Sequence, residues 1–191
     1  MRHVIINSMD KVNTNESVIY RLGTAMDSEE IIKLQWLCHK ENPDFYYPFL
    51  KEDDDLIFKP ENCSIALHNS KLISVGYTDM ESDDFKEIAS RAKLSWTDGG
   101  LIGAITLKKY RRLGIATNNV LRAIKILEHK KKDYVCTVTH PENFSKKICE
   151  NFGLKQIGEP YIPCENHAPR IFWVADIKTV LSCASEELQE L

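Results

Sequence analysis

The sequence predicts a mixed α/β domain, a central twisted sheet with helices on both faces. Three observations predict it. In the middle of the chain, apolar runs of strand length alternate with helix-periodic segments. Two of those runs, 101–107 and 134–139, are almost wholly apolar or β-branched, as in strands covered on both faces. Hairpin and closing-strand patterns flank this centre, so the sheet is mixed rather than purely parallel.

A chain of 191 residues fits one domain over 1–191 and is long enough to bury a core. With 43% hydrophobic and 28% charged residues it reads as soluble and globular. A net charge of −3 argues against a broad nucleic-acid surface. No apolar run approaches the roughly 20 residues that span a bilayer. The opening Met1-Arg2-His3-Val4-Ile5-Ile6 is too short an apolar stretch for a signal peptide. Cysteines at 38, 63, 136, 149, 164 and 183 are scattered, which suits free thiols in a cytoplasmic protein. Cys164 and His167 have metal-like spacing but fall short of a ligand set, so no metal is expected.

Taken in order, residues 1–16 are polar and read as a loose segment. Residues 18–22 read as a strand. A helix follows, N-capped by Asp27 or Ser28, with Ile31, Leu34 and Cys38 on its apolar face and Pro43 as its stop. Residues 63–68 and 72–77 read as a hairpin around Asn69-Ser70. Residues 79–99 are polar and read as an insertion or loop, with a helical turn near 85–92. The strand 101–107 leads through a basic turn into a helix with Ala116, Val120, Ile124 and Leu127 on one face. The strand 134–139 leads into a helix starting at Pro141, with Phe144, Ile148 and Phe152 as its stripe and Gly153 as its C-terminal stop. Residues 154–157 and 170–177 read as closing strands, and 178–191 as a terminal helix or tail.

The loop 108–114 carries the chemistry. The first turn of the helix behind it leaves backbone N–H groups without partners, and the helix dipole adds positive potential. Gly114 lets the backbone approach a bulky ligand, Ala116 is small, and Arg111 and Arg112 add cations. These features predict a phosphate or diphosphate site. There is no Gly-Lys-Ser/Thr and no G-x-G-x-x-G after a strand, which disfavours P-loop and Rossmann sites.

Arg111-Arg112-Leu113-Gly114-Ile115-Ala116 resembles the (Arg/Gln)-x-x-Gly-x-(Gly/Ala) signature of the GNAT superfamily of N-acetyltransferases. Asn143 and the run from Cys149 to Leu154 resemble that family's second motif. The resemblance implies a GNAT-type domain with strands 101–107 and 134–139 splayed apart, and acetyl-CoA as co-substrate. Backbone groups at Ile105 and Leu107, with Thr106 between them, would hold the acetyl carbonyl and pantetheine arm. N–H groups of Arg112, Leu113, Gly114, Ile115 and Ala116 would hold the pyrophosphate beside Arg111, and Asn143 would touch the pantetheine or adenosine side. The acceptor would be a primary amine of a small molecule or protein, attacked in a ternary complex. The alternative is a catalytically weak acyl-CoA-binding sensor or interaction module.

The family's usual Tyr stands four residues before the second-motif Gly, where this chain has Cys149. Cys149 is a candidate proton donor or a packing residue, and His140, after the strand 134–139, is a candidate base or a turn-capping residue. Asp98 and Tyr77 are further candidates. Acidic and aromatic residues of 43–58 and 79–99 would line the acceptor side and favour a cationic amine. Nothing here points to nucleic acid or membrane as partner, and a homodimer is left open.

Overall fold

The structure, a computed structural model, describes residues 18–41, 59–143, 145–161 and 169–187. Seven strands among them form one sheet: β1 (Ile19–Leu22), β2 (Cys63–His68), β3 (Lys71–Asp79), β4 (Gly99–Thr106), β5 (Tyr134–Thr139), β6 (Lys155–Tyr161) and β7 (Arg170–Asp176). Their spatial order is β1-β2-β3-β4-β5-β7-β6. The central pair β4 and β5 is parallel, and the other pairs are antiparallel. The mixed sheet expected from the sequence is therefore present.

Among the described residues five α-helices cover both faces: α1 (Ser28–Glu41), α2 (Asp83–Arg91), α3 (Ile115–His129), α4 (Ser145–Asn151) and α5 (Ile177–Glu187). On one face, Leu121, Ile124 and Leu127 of α3 pack with Cys149 of α4, Val180 of α5, and Ile102, Val135 and Trp173 of the sheet. On the other face, Ile31, Leu34 and Cys38 of α1 pack on Ile65, Val75 and Ile105. Phe85 and Ile88 of α2 lie on that same side against Cys136 and Phe172. Alternation along β4 explains the division, with Ile102 pointing to one layer and Ile105 to the other.

Several expectations are corrected here. Residues 79–99 are not a loose insertion, since they hold α2, with Phe85 and Ile88 at most 1% exposed. Each such burial contributes roughly 2 kcal/mol, too much for a solvated loop to forgo. Few apolar residues in a polar stretch hid that helix. Of the two readings of 178–191, the helix is the one present as far as Glu187, where α5 (Ile177–Glu187) buries Val180 and Ala184. Helix α1 is entered through a short 3₁₀ turn whose cap is Thr24, and Asp27 closes it from inside. The Asp27 carboxylate accepts from the Arg21 guanidinium at 2.7 and 2.8 Å and from the Thr24 N–H at 2.8 Å. Those partners, Arg21 foremost, hold it down to about 2. Helix α4 begins at Ser145 rather than Pro141, which sits in the preceding turn. Readings placed on residues 1–16, on 43–58, on Phe144 and on Cys164 with His167 lie outside the described residues.

Candidate functional site

Strands β4 and β5 pair only at their beginnings, through Gly99↔Tyr134, Gly100↔Val135 and Leu101↔Cys136. Beyond Leu101 and Cys136 the two strands part, although β4 runs on to Thr106 and β5 to Thr139. The result is a V-shaped gap in the middle of the sheet. At its apex a side chain takes the place of the next backbone rung: the Thr137 hydroxyl donates to the Ile102 carbonyl at 2.8 Å, with Thr137 only 9% exposed.

Which backbone groups face the gap follows from the β3–β4 ladder. The Leu107 N–H donates to the Ile73 carbonyl at 3.0 Å, so Leu107 faces β3. In an antiparallel ladder successive residues alternate in the side to which both backbone groups point. Ile105 and Gly103 therefore also face β3, and Ile102, Ala104 and Thr106 face the gap. The Ile102–Thr137 bond agrees with this phase. The backbone groups of Ile105 and Leu107, expected to meet the ligand, are turned to β3, and those of Ala104 and Thr106 face the gap. Period-2 patterning tells which side chains share a face but not which backbone groups are free, so the sequence carried no signal for this.

The loop after β4 is anchored before it presents anything. The Tyr110 ring is 5% exposed, packs with Ile115, Ala66 and Ile73, and holds its hydroxyl 3.1 Å from His68 Nδ1. Arg111, expected to meet phosphate, is engaged by the protein. Its Nε donates to the Thr106 carbonyl and its terminal nitrogen pairs with Glu41 of α1, both at 2.9 Å. Arg111 thus clamps the loop to β4 and to the end of α1. Arg112, at φ +64°, is exposed and turned outward together with Lys108 and Lys109.

Gly114 is the N-cap of α3 at φ +74°, a conformation that costs other L-residues roughly 1–2 kcal/mol. A Cβ there would meet nothing nearer than Asn118 Nδ2 at 4.0 Å, so the glycine answers to the turn and leaves open space for a ligand. From Arg112 to Thr117 no backbone N–H donates to an acceptor among the described residues. Unpaired donors at a helix start, with three exposed cations beside them, are an arrangement suited to an anion.

A buried polar chain sets the position of α3. Ser64 donates to Asn119 Oδ1 at 2.9 Å, Asn119 Nδ2 donates to Ser74 at 2.9 Å, and the Ser74 and Thr106 hydroxyls meet at 2.7 Å. All four residues are at most 4% exposed. The helix can come this close because β3 has Gly76 beneath it, where a Cβ would overlap the Asn119 carbonyl. The Thr106 side chain therefore belongs to the core, and only its backbone belongs to the gap.

Across the gap the candidates do different work. His140 is half-buried, and its Nδ1 accepts from the Glu142 N–H at 3.1 Å. Asn143 Oδ1 accepts from the Ser145 N–H at 3.0 Å and caps α4. Cys149 is 5% exposed within the α3–α4–α5 core, and burial pushes its thiol up to about 12. Among the described residues no group of three or more His, Cys, Asp or Glu could hold a metal, and no helix is long and apolar enough to cross a membrane.

No family model matches the chain, and no curated protein matches it by sequence. Solved structures do match its fold. It is similar to an N-acetyltransferase from Staphylococcus aureus Mu50, with a TM-score of 0.63, 12% identity, and 84% of this chain against 99% of that one. It is similar to the GNAT domain of PAT from S. lividans, with a TM-score of 0.60, 12% identity, and 84% against 96%. It is also similar to a chain of the NatC complex bound to Gag peptide and CoA, with a TM-score of 0.60, 18% identity, and 84% against 98%. At such identities the likeness establishes the fold, and the fold is that of the GNAT acetyltransferases.

Proposed function

We propose that this protein is an acetyl-CoA-dependent N-acetyltransferase. One observation carries the reading: the open stretch between β4 and β5 leads straight to the unpaired N–H groups at the start of α3. The residues present suit the co-substrate. The N–H groups from Arg112 to Ala116 and the exposed cations fit a pyrophosphate. The inward N–H groups of Ala104 and Thr106 suit an amide-rich arm and a thioester carbonyl.

In this reading the acceptor amine attacks the thioester carbonyl. Its lone pair forms the C–N bond, the C–S bond breaks with its electrons on sulfur, and one amine proton is released while the thiolate gains one. A backbone N–H on the gap side of β4 would stabilise the oxyanion. His140, at the end of β5, stays the candidate for accepting the amine proton, directly or through water. The proton for sulfur is not assigned to Cys149, whose thiol is buried among apolar side chains.

Two measurements test the proposal. Calorimetric titration with acetyl-CoA should give saturable binding that Gly114→Ala weakens. A thiol-release assay over a panel of primary amines should then find turnover. Lack of acetyl-CoA binding would refute the proposal, and tight binding with no turnover of any amine would favour the sensor module. A cationic acceptor and a cytoplasmic setting belong to the same proposal and rest on composition alone.

A further inference from the structure

On the sheet face that carries α1, the layer over β3 and β4 beside the gap is built from apolar side chains, with two polar groups placed among them. The first is Tyr77. It stands on β3 opposite Gly103 of β4, and a Cβ at position 103 would overlap both its ring and its hydroxyl. The ring therefore lies across β4 in the place a side chain would fill. Gly103 is two residues past Leu101, the last residue of β4 paired with β5. The Tyr77 hydroxyl thus reaches the lip of the gap on the α1 side, with Leu67, Leu72, Ile105 and Leu107 in the same layer.

The second is Gln35. It lies on the stripe of α1, with Ile31, Leu34 and Cys38, that packs toward β3 and β4. It is 3% exposed, and among the described residues neither Nε2 nor Oε1 of its side chain has a hydrogen-bond partner. Buried amides are almost always bonded, because leaving them unpaired is costly. Among the described residues that partner is missing, which leaves the amide to be bonded by a buried water or by a ligand.

We propose that Tyr77 and Gln35 recognise the acceptor. The Tyr77 hydroxyl positions the amine at the gap, and the Gln35 amide bonds an uncharged group nearby on the same molecule, such as a carboxamide, a peptide unit or a hydroxyl. The acceptor class is then an amine carrying a neutral hydrogen-bonding neighbour. This rests on the acetyltransferase reading. It concerns the acceptor alone, because the loop from Arg112 to Ala116 lies on other elements.

The test compares Tyr77→Phe and Gln35→Met with wild type, using simple alkylamines, amino-acid amides and short peptides as acceptors. Tyr77→Phe keeps the ring, so its melting temperature should hold while kcat/KM for acceptors falls about tenfold, the weight of one lost hydrogen bond. Gln35→Met should raise the KM for amide-bearing acceptors by about tenfold, leave alkylamines unaffected and raise the melting temperature, since an unpaired amide is removed. Both variants should bind acetyl-CoA as wild type does. Unchanged acceptor constants in both variants would overturn the inference, as would a wild type that binds acetyl-CoA yet acetylates none of these amines. A wild type that fails to bind acetyl-CoA would overturn the parent reading instead.

Discussion

The two walls of the gap, the β4–α3 region and the β5–α4 region, are built on opposite plans. On the β4–α3 side the groups offered to a ligand are backbone N–H groups, and the side chains serve to hold that backbone. Asn119 ties α3 to β2 and β3, Tyr110 plugs the loop into the core, and Arg111 clamps it to α1. On the β5–α4 side the polar side chains close local structure. Thr139 accepts from Trp173 Nε1 at 2.8 Å, Asn143 caps α4, His140 receives the Glu142 N–H, and Cys149 fills the core. A backbone site depends on small residues and helix phase, so it persists when side chains change. A side-chain site depends on residue identity at each position, and here the identities suit packing.

The contrast can be broken most forcefully at Asn119. Asn119→Ala leaves the Ser64 and Ser74 hydroxyls buried with a partner removed from each, which should cost roughly 3 kcal/mol in denaturant unfolding. Acetyl-CoA affinity should fall with it, because the start of α3 loses its anchor. A loss below about 1 kcal/mol would mean that apolar packing alone sets the helix.

Thr137 sharpens the contrast at the apex. Thr137→Val keeps shape but leaves the Ile102 carbonyl without its donor, an expected loss of about 1 kcal/mol with acetyl-CoA binding weakened about fivefold. Thr137→Ser should restore binding, since the hydroxyl is what matters. Equal binding by the Val and Ser variants would show that the strands part without this bond.

The smallest effect is expected at Cys149. Cys149→Ala should cost about 1 kcal/mol for the lost packing and leave kcat unchanged. A steep fall in kcat at unaltered acetyl-CoA affinity would return the residue to the chemistry. Its protonation has a further consequence. The thiol titrates near 8.5 in an unfolded chain and is pushed up to about 12 in the folded one. The associated stability is complete below the unfolded value and is lost as pH rises from there through about 12. Unfolding curves across alkaline pH should show that loss, and Cys149→Ala should reduce it.

Legibility in the sequence followed the same division. The loop could be read because its physics is local: a strand-length apolar run, basic residues, Gly114, then helical periodicity. The parting of β4 and β5 was reached only through the family resemblance, because pairing is a relation between residues more than thirty apart in the chain. Helix α2 was read as no more than a helical turn within a loop because few of its residues are apolar, and it is held by contacts with Tyr134, Cys136 and Phe172 from distant strands. Arg111 was read as a phosphate ligand because nothing local reveals Glu41, seventy residues away.

The mixed α/β architecture, the turn at Gly114 and the helix behind it could be read from the chain alone. All three arise from periodicity and from backbone freedom within a few residues. Tertiary structure alone decided that Ala104 and Thr106 face the gap in place of Ile105 and Leu107, that Arg111 is a clamp, and that Tyr77 lies across Gly103. Each of these depends on strand register or on close approach between distant segments. Those relations come into being only when the sheet assembles.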